Sequence, residues 1–275
     1  NTATNAFASV LGGYLNSATG TFSVVSGGEE NIASGKGAWI GGGLINVAAA
    51  LNSSVAGGAL NTASGEAASA TGGEKNTAKG PKASVSGGFE NTATGEEASV
   101  GGGKKNGAGG PLASISGGFE NSASGEATSV TGGASNVASG KRASISGGEQ
   151  NGAKGSLGSV SGGEANQAGG SEATISGGGW NSASGAHSSV SGGEFNEANE
   201  EWTSITAGSH NKAEGQYDSI TGGELNRSVG GHGWIGGGQS NYDEAAWSSI
   251  VGGSGWNQVK ELKWGPWFGW PDEES

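Results

Sequence analysis

Asparagine recurs every fifteen residues along this chain, from Asn1 through Asn16 and Asn31 to Asn241, seventeen times without a slip in register. Twelve residues after each of them stands a glycine, from Gly13 to Gly253. Nine residues after each stands Val or Ile, from Val10 to Ile250, with Ala70 as the sole exception. Two residues after each stands Ala, from Ala3 to Ala213, giving way to Ser228 and Asp243. The unit reads S-[VI]-[ST]-G-G-x-x-N-x-A-x-G-x-x-[AST]. A short fixed period without insertions means that every unit builds the same local structure and buries itself only against its neighbours, which is the logic of a solenoid.

Alternation within the unit predicts two short strands per coil. In Ala143-Ser144-Ile145-Ser146-Gly147 the Ala, Ile and Gly share one face and both serines the other; in Asn151-Gly152-Ala153-Lys154-Gly155 the Asn, Ala and Gly turn inward. Gly147-Gly148 and Gly155 are expected at corners, where a Cβ would penalise the backbone angles. The fold class is therefore all-β, a parallel β-roll of about seventeen coils over residues 1–253, forming a rod roughly 80 Å long. The structural columns are exemplified by Asn91, Asn121 and Asn151, expected to stack as a ladder of amides each donating to the next, and by Val85, Ile115 and Ile145.

Such a core is thin. Leu, Ile, Val and Phe together make 39 residues of 275, while glycine alone makes 61. One branched aliphatic and one or two alanines per coil bury little apolar area against the backbone entropy of fifteen residues. The outward positions flanking Val/Ile are nearly uniform (Ser84, Ser86; Ser114, Ser116; Ser129, Thr131; Ser144, Ser146), whereas those beside Ala vary freely. A uniform face is expected to pack against the same face of other copies around an axis. The formal charge of −12 argues against nucleic acid or anionic lipid as partners. The absence of cysteine removes disulfides and thiolate metal sites, and no apolar run approaches a membrane span. Any export signal is expected to have been removed or to lie outside these residues.

The unit S-V-x-G-G-x-x-N-x-A-x-G resembles the head repeat of trimeric autotransporter adhesins over nearly all of residues 1–253. The resemblance implies a left-handed parallel β-roll, three chains around one axis, and display outside a bacterial cell for attachment. The unit is one residue longer than the family's usual spacing and carries Gly-Gly where the family often has Ile-Gly. Neither a heptad stalk nor a membrane β-barrel segment can be read in the sequence.

Variable columns show what the surface faces. Lys75, Glu90, Lys105 and Glu120 alternate in sign on successive coils. Near the start the same region carries Tyr14, Leu15, Leu44, Ile45 and Leu60, with Phe22 and Leu51 nearby. Near the finish one column carries Trp180, Phe195, His210 and Leu225, and another His187, Trp202, Tyr217, His232 and Trp247. Such aromatics stack one coil apart. Edge protection or packing between chains is one reading of them; a carbohydrate-binding stripe of Trp180, Phe195, Trp202, Tyr217 and Trp247 is the other.

Residues 254–275 break the period. Trp256 takes the place due to Asn, and Trp264, Trp267, Phe268 and Trp270 follow before an acidic end. This segment either caps its own last coil or docks on the first coils of the next subunit, against Tyr14, Leu15, Leu44 and Ile45; docking is the expectation. No nucleophile, paired acid and base, or phosphate loop can be argued from the spacings, so neither enzymatic activity, cofactor nor metal is expected. The reading is a secreted, surface-displayed fibre subunit, a homotrimer in cross-section, polymerised head to tail for attachment or cohesion. A glycan- or matrix-binding adhesin head is the alternative, and ice binding by the flat Ser/Thr face a third.

Overall fold

The structure is a computed structural model that describes residues 1–254 and the backbone of Gln258 and Val259. Each coil contributes two strands of two residues. One series runs from β1 (Thr2–Ala3) through every second strand to β33 (Tyr242–Asp243) and β35 (Gln258–Val259); the other runs from β2 (Ser9–Val10) to β34 (Ser249–Ile250). Every strand pairs in parallel with its counterpart one coil on. Ser84 faces Ser99 and Val85 faces Val100 in one sheet; Thr92 faces Gly107 and Ala93 faces Ala108 in the other. The all-β parallel solenoid with fifteen residues per turn is thus the observed fold.

Two features go beyond the expected strands. A third parallel ladder, one residue wide, links Tyr14 to Glu29, Glu29 to Leu44 and so on to Gln239 and Ser254. At the far end β33 pairs with β35 in a register of Tyr242 to Gln258 and Asp243 to Val259, so the coil there is one residue longer than the period.

The inward columns are as the alternation requires. Val85, Ile115 and Ile145 are buried, as are the Ala residues facing them across the coil, such as Ala93, Ala123 and Ala153. The apolar interior falls into two stretches that part at Ala70: one from Ala18 to Ala70, the other from Ala68 to Ile250. Ala70 stands in the one coil without Val or Ile in that column, and it lacks the γ-carbons that bridge one coil to the next.

The corners differ from expectation. Gly148 does take a left-handed backbone, with φ of 86°. Gly155 does not; a Cβ there would come within 1.7 Å of the Gly170 carbonyl oxygen, so its glycine is imposed by the close approach of successive coils. Gly147 meets neither demand, because a Cβ on it would find nothing within 4 Å. Nearly all the remaining left-handed corners are held by ordinary residues at two places per coil, for example Lys82 with φ of 55° and Glu90 with φ of 56°, Gly37 and Gly231 being exceptions. Left-handed backbone costs an L-residue about 1–2 kcal/mol. Here it turns the amide back onto the preceding coil: Lys82 N–H donates to Glu66 at 2.7 Å and Glu90 N–H to Glu74 at 3.0 Å.

Candidate functional site

The asparagine column is the most fully bonded part of the rod. Asn91, Asn121 and Asn151 are buried. The Asn121 Oδ1 accepts from the backbone N–H of Asn136 at 3.0 Å, and its Nδ2 donates to the carbonyls of Gly117 at 3.1 Å and Gly133 at 3.0 Å. One side chain therefore ties two glycine corners and the next asparagine's backbone together. The expected amide-to-amide ladder is corrected accordingly: the ladder is chiefly side chain to backbone. Direct amide donation joins it at Asn31, Asn196, Asn211, Asn226 and Asn241, over 3.0–3.2 Å. Backbone groups win because the parallel register brings the next coil's N–H straight over Oδ1. These amides are occupied structurally and face the interior.

The outer Ser/Thr columns run along the second sheet, the one before Val/Ile half-buried (Ser84, Ser114, Ser129, Ser144) and the one after it exposed (Ser86, Ser116, Thr131, Ser146). Two tryptophans interrupt them, Trp39 and Trp234, each followed by an Ile and three glycines. A Cβ added to Gly41 would come within 2.9 Å of the Trp39 ring, and one added to Gly236 within 2.8 Å of the Trp234 ring. Each ring therefore lies along its own strand over a glycine that stands where most other coils carry Ser, Thr or Ala. The repeated Trp-Ile-Gly-Gly-Gly string was the available signal for this pair.

The aromatic columns sit on left-handed corners. His187, Trp202, Tyr217, His232 and Trp247 form one continuous stack, with centroid separations of 4.0, 6.4, 4.7 and 3.8 Å and planes within 10° of parallel. Trp180, Phe195 and His210 form a second, at 6.0 and 4.8 Å. The five residues of the stripe thus divide between two stacks, Trp180 and Phe195 in one and Trp202, Tyr217 and Trp247 in the other. Their rings turn faces toward one another and edges toward solvent. Near the start Phe7 and Phe22 stack at 4.9 Å. Tyr14 and Leu15 are separated from Leu44 and Ile45 by the intervening coil's Glu29 and Glu30, so these four apolar side chains do not form one patch.

Opposite charges pair between coils, Lys105 with Glu120 at 3.2 Å and Lys75 with Glu90 at 3.8 Å, with others at Lys82 and Glu97 and at Lys141 and Glu126. The hydrogen bond and charge of Glu97 raise the Lys82 ammonium pKa above its ordinary value. All are solvent-exposed pairs of small energetic weight. Lys104 lies between the rings of Phe89 and Phe119, 5.6 and 5.8 Å from their centroids.

One departure from the apolar interior carries charge. Asp218 and Asp243 are fully buried, in columns that hold small residues elsewhere, and Ser228 is buried beside them. Burial raises the pKa of both carboxyls above the usual aspartate range, against opposing hydrogen bonds. The sequence signal lies in the two coils where Ala yields to Ser228 and Asp243, which by themselves look like lapses in the repeat.

A shallow hollow lies among Glu96, Glu97, Pro111 and Leu112. Among the described residues no three His, Cys, Asp or Glu side chains gather as a metal site, and no helix is long and apolar enough to cross a membrane. The expected docking residues Trp256, Trp264, Trp267, Phe268 and Trp270 lie outside the described residues. No family model matches the chain, and no curated protein matches it.

Proposed function

We propose that the chain is the structural subunit of an extracellular fibre, assembled head to tail and serving surface attachment or cohesion between cells. The observation that carries this reading is the sameness and direction of the coil-to-coil bonding. Ser84, Ser86, Phe89, Thr92 and Thr94 each donate a backbone N–H forward, to Ala98, Val100, Gly103, Asn106 and Ala108, over 2.8–2.9 Å, while Lys82 and Glu90 donate backward. The leading surface of a coil is therefore complementary to the trailing surface of an identical coil, in parallel and in one register. An interface of that kind is heterologous, and it propagates into a filament when its rotation does not close. The regular Ser/Thr face supports lateral packing of copies, three around one axis in the arrangement that the adhesin-head resemblance implies.

Electron micrographs of the purified protein, with light scattering in parallel, test the assembly. Threads many times the roughly 80 Å of one rod, lost on deletion of residues 256–275, are expected. Monodisperse single chains at every concentration refute it.

A second reading, adhesion to a glycan through the aromatic columns, is favoured by the exposure of the rings, 77% for Trp247. Glycans grip aromatic side chains through ring faces, and most faces here are covered by the neighbouring ring. Replacing Trp202, Tyr217 and Trp247 together by Ala separates the two readings: loss of adhesion by intact fibres supports the ligand, whereas retained adhesion supports the purely structural role.

A further inference from the structure

The buried polar cluster near the end of the described rod has a chemistry of its own. Asp218 is built as an anion site: its Oδ2 accepts from Gly215 N–H at 2.8 Å and its Oδ1 from Gly233 N–H at 2.8 Å. Asp243 is less well provided. Its Oδ1 meets the Ser248 hydroxyl, which also bonds the Ala245 carbonyl at 2.7 Å; the Ala245 backbone N–H favours the ionised form, but Oδ2 makes no hydrogen bond of good geometry. Ser228 lies close enough to Asp218 to favour the ionised form, yet its Oγ makes no hydrogen bond of good geometry. The orphaned oxygens converge. The point where a Cβ on Gly233 would stand is 2.5 Å from Ser228 Oγ, 2.6 Å from Asp243 Oδ2 and 3.1 Å from Asp218 Oδ1. Glycine at 233 is what lets three oxygens occupy that space.

Two carboxylates buried in one site do not both ionise cheaply. Other titratable side chains nearby do not relieve them. Lys212, Glu214, Arg227, Tyr242 and Glu244 on the flanking strands and Tyr217 and His232 at the corner are not buried, and Arg227 is engaged with Glu214 at 2.7 Å. Gln258 and Val259 of β35 bring no titratable group. Three oxygens also fall short of the six to eight that a calcium ion takes.

We propose that the cluster is a proton-binding site, in which Asp243 carries a proton on Oδ2 and donates it to Ser228 Oγ while Ser228 donates to Asp218, which stays ionised. One proton from solvent is taken up as these coils form, the site keeps a single negative charge, and both orphaned oxygens gain partners. The folded carboxyl holds its proton more tightly than the unfolded one, so the stabilisation is full below the ordinary aspartate value of about 4. It is lost as pH rises through the raised folded value. The last described coils are thereby an acid-stabilised, alkali-loosened end of the rod.

The test compares wild type, Asp243→Asn and Asp218→Asn by urea unfolding from acid to alkaline pH, with amide exchange resolving the coils. Asn at 243 supplies an N–H where the proton sits, so its unfolding midpoint is expected to match wild type in acid and to exceed it increasingly as pH rises. Asn at 218 turns an NH2 toward a backbone N–H and is expected to lower the midpoint throughout. Exchange in residues 228–250 is expected to quicken with pH beyond its intrinsic increase and beyond that of the central coils. A protonated-acid carbonyl band in the wild-type minus Asp243→Asn infrared difference spectrum, followed as pH is raised stepwise from the ordinary aspartate value of about 4, reads the proton directly, whether or not Asp218→Asn folds. A missing band, or parallel pH profiles for wild type and Asp243→Asn, overturns the proposal. Stabilisation of wild type by calcium or sodium that Asp243→Asn abolishes overturns it in favour of a cation.

Discussion

Removing one rung of the asparagine column is the most direct test of what holds the coils in register. Asn121→Ala deletes the acceptor of the Asn136 N–H and the donors to Gly117 and Gly133. Each lost bond is worth about 1 kcal/mol net, and a buried N–H left without a partner adds about 1–3 kcal/mol. The two glycine corners are less buried than the asparagine, so water replaces part of what their carbonyls lose. The expected destabilisation is roughly 3–4 kcal/mol. Because coils couple only to neighbours, it should be felt first as faster amide exchange around residues 117–136. Asn121→Asp sharpens the test. It keeps an acceptor but loses both donors and buries a charge, so at neutral pH it should be worse than Ala. Burial raises the folded pKa of such an acid, so the defect should ease as pH falls and the carboxyl takes up a proton. Denaturant unfolding gives the magnitude. A loss under about 0.5 kcal/mol for Asn121→Ala, the scale of an inconsequential surface change, refutes the reasoning.

Other columns make separate predictions. Gly155→Ala should prevent coils from closing to their present spacing and sharply lower the unfolding midpoint, whereas Gly147→Ala, with open space at its Cβ, should leave stability unchanged or raise it by about 0.5 kcal/mol. Ile145→Ala should lose about 2–4 kcal/mol in the same assay. Ala70→Val should join the two stretches of the interior and gain about 1 kcal/mol, read as slower amide exchange on both sides of that coil. Trp202→Ala breaks the five-ring stack at two contacts and should cost about 1–2 kcal/mol while leaving the far-ultraviolet spectrum unchanged.

Much of the interior was legible because a column reports its own constraint. Val85, Ile115 and Ile145 had to be apolar, Ala93 and Ala123 had to be small, and those needs repeat at fifteen. The aromatic stacks were legible for the same reason: Trp202 and Tyr217 stand one period apart, so identical coils superimpose them. The buried acid pair was not, since Asp218 and Asp243 come from different columns, twenty-five residues apart. Only closure of the coil brings those columns face to face.

By itself the sequence determined the rung, its length, its two strands and the residues lining its interior, because period and alternation carry those directly. The tertiary structure decided where the backbone turns left-handed, that Gly155 serves close approach and not a turn, and that Asn121 grips backbone more than its neighbouring amides. Closing a fifteen-residue loop onto an identical one fixes dihedral angles and distances without fixing side-chain type. Lys82, Glu90 and Trp202 therefore share one left-handed conformation that no residue preference announces.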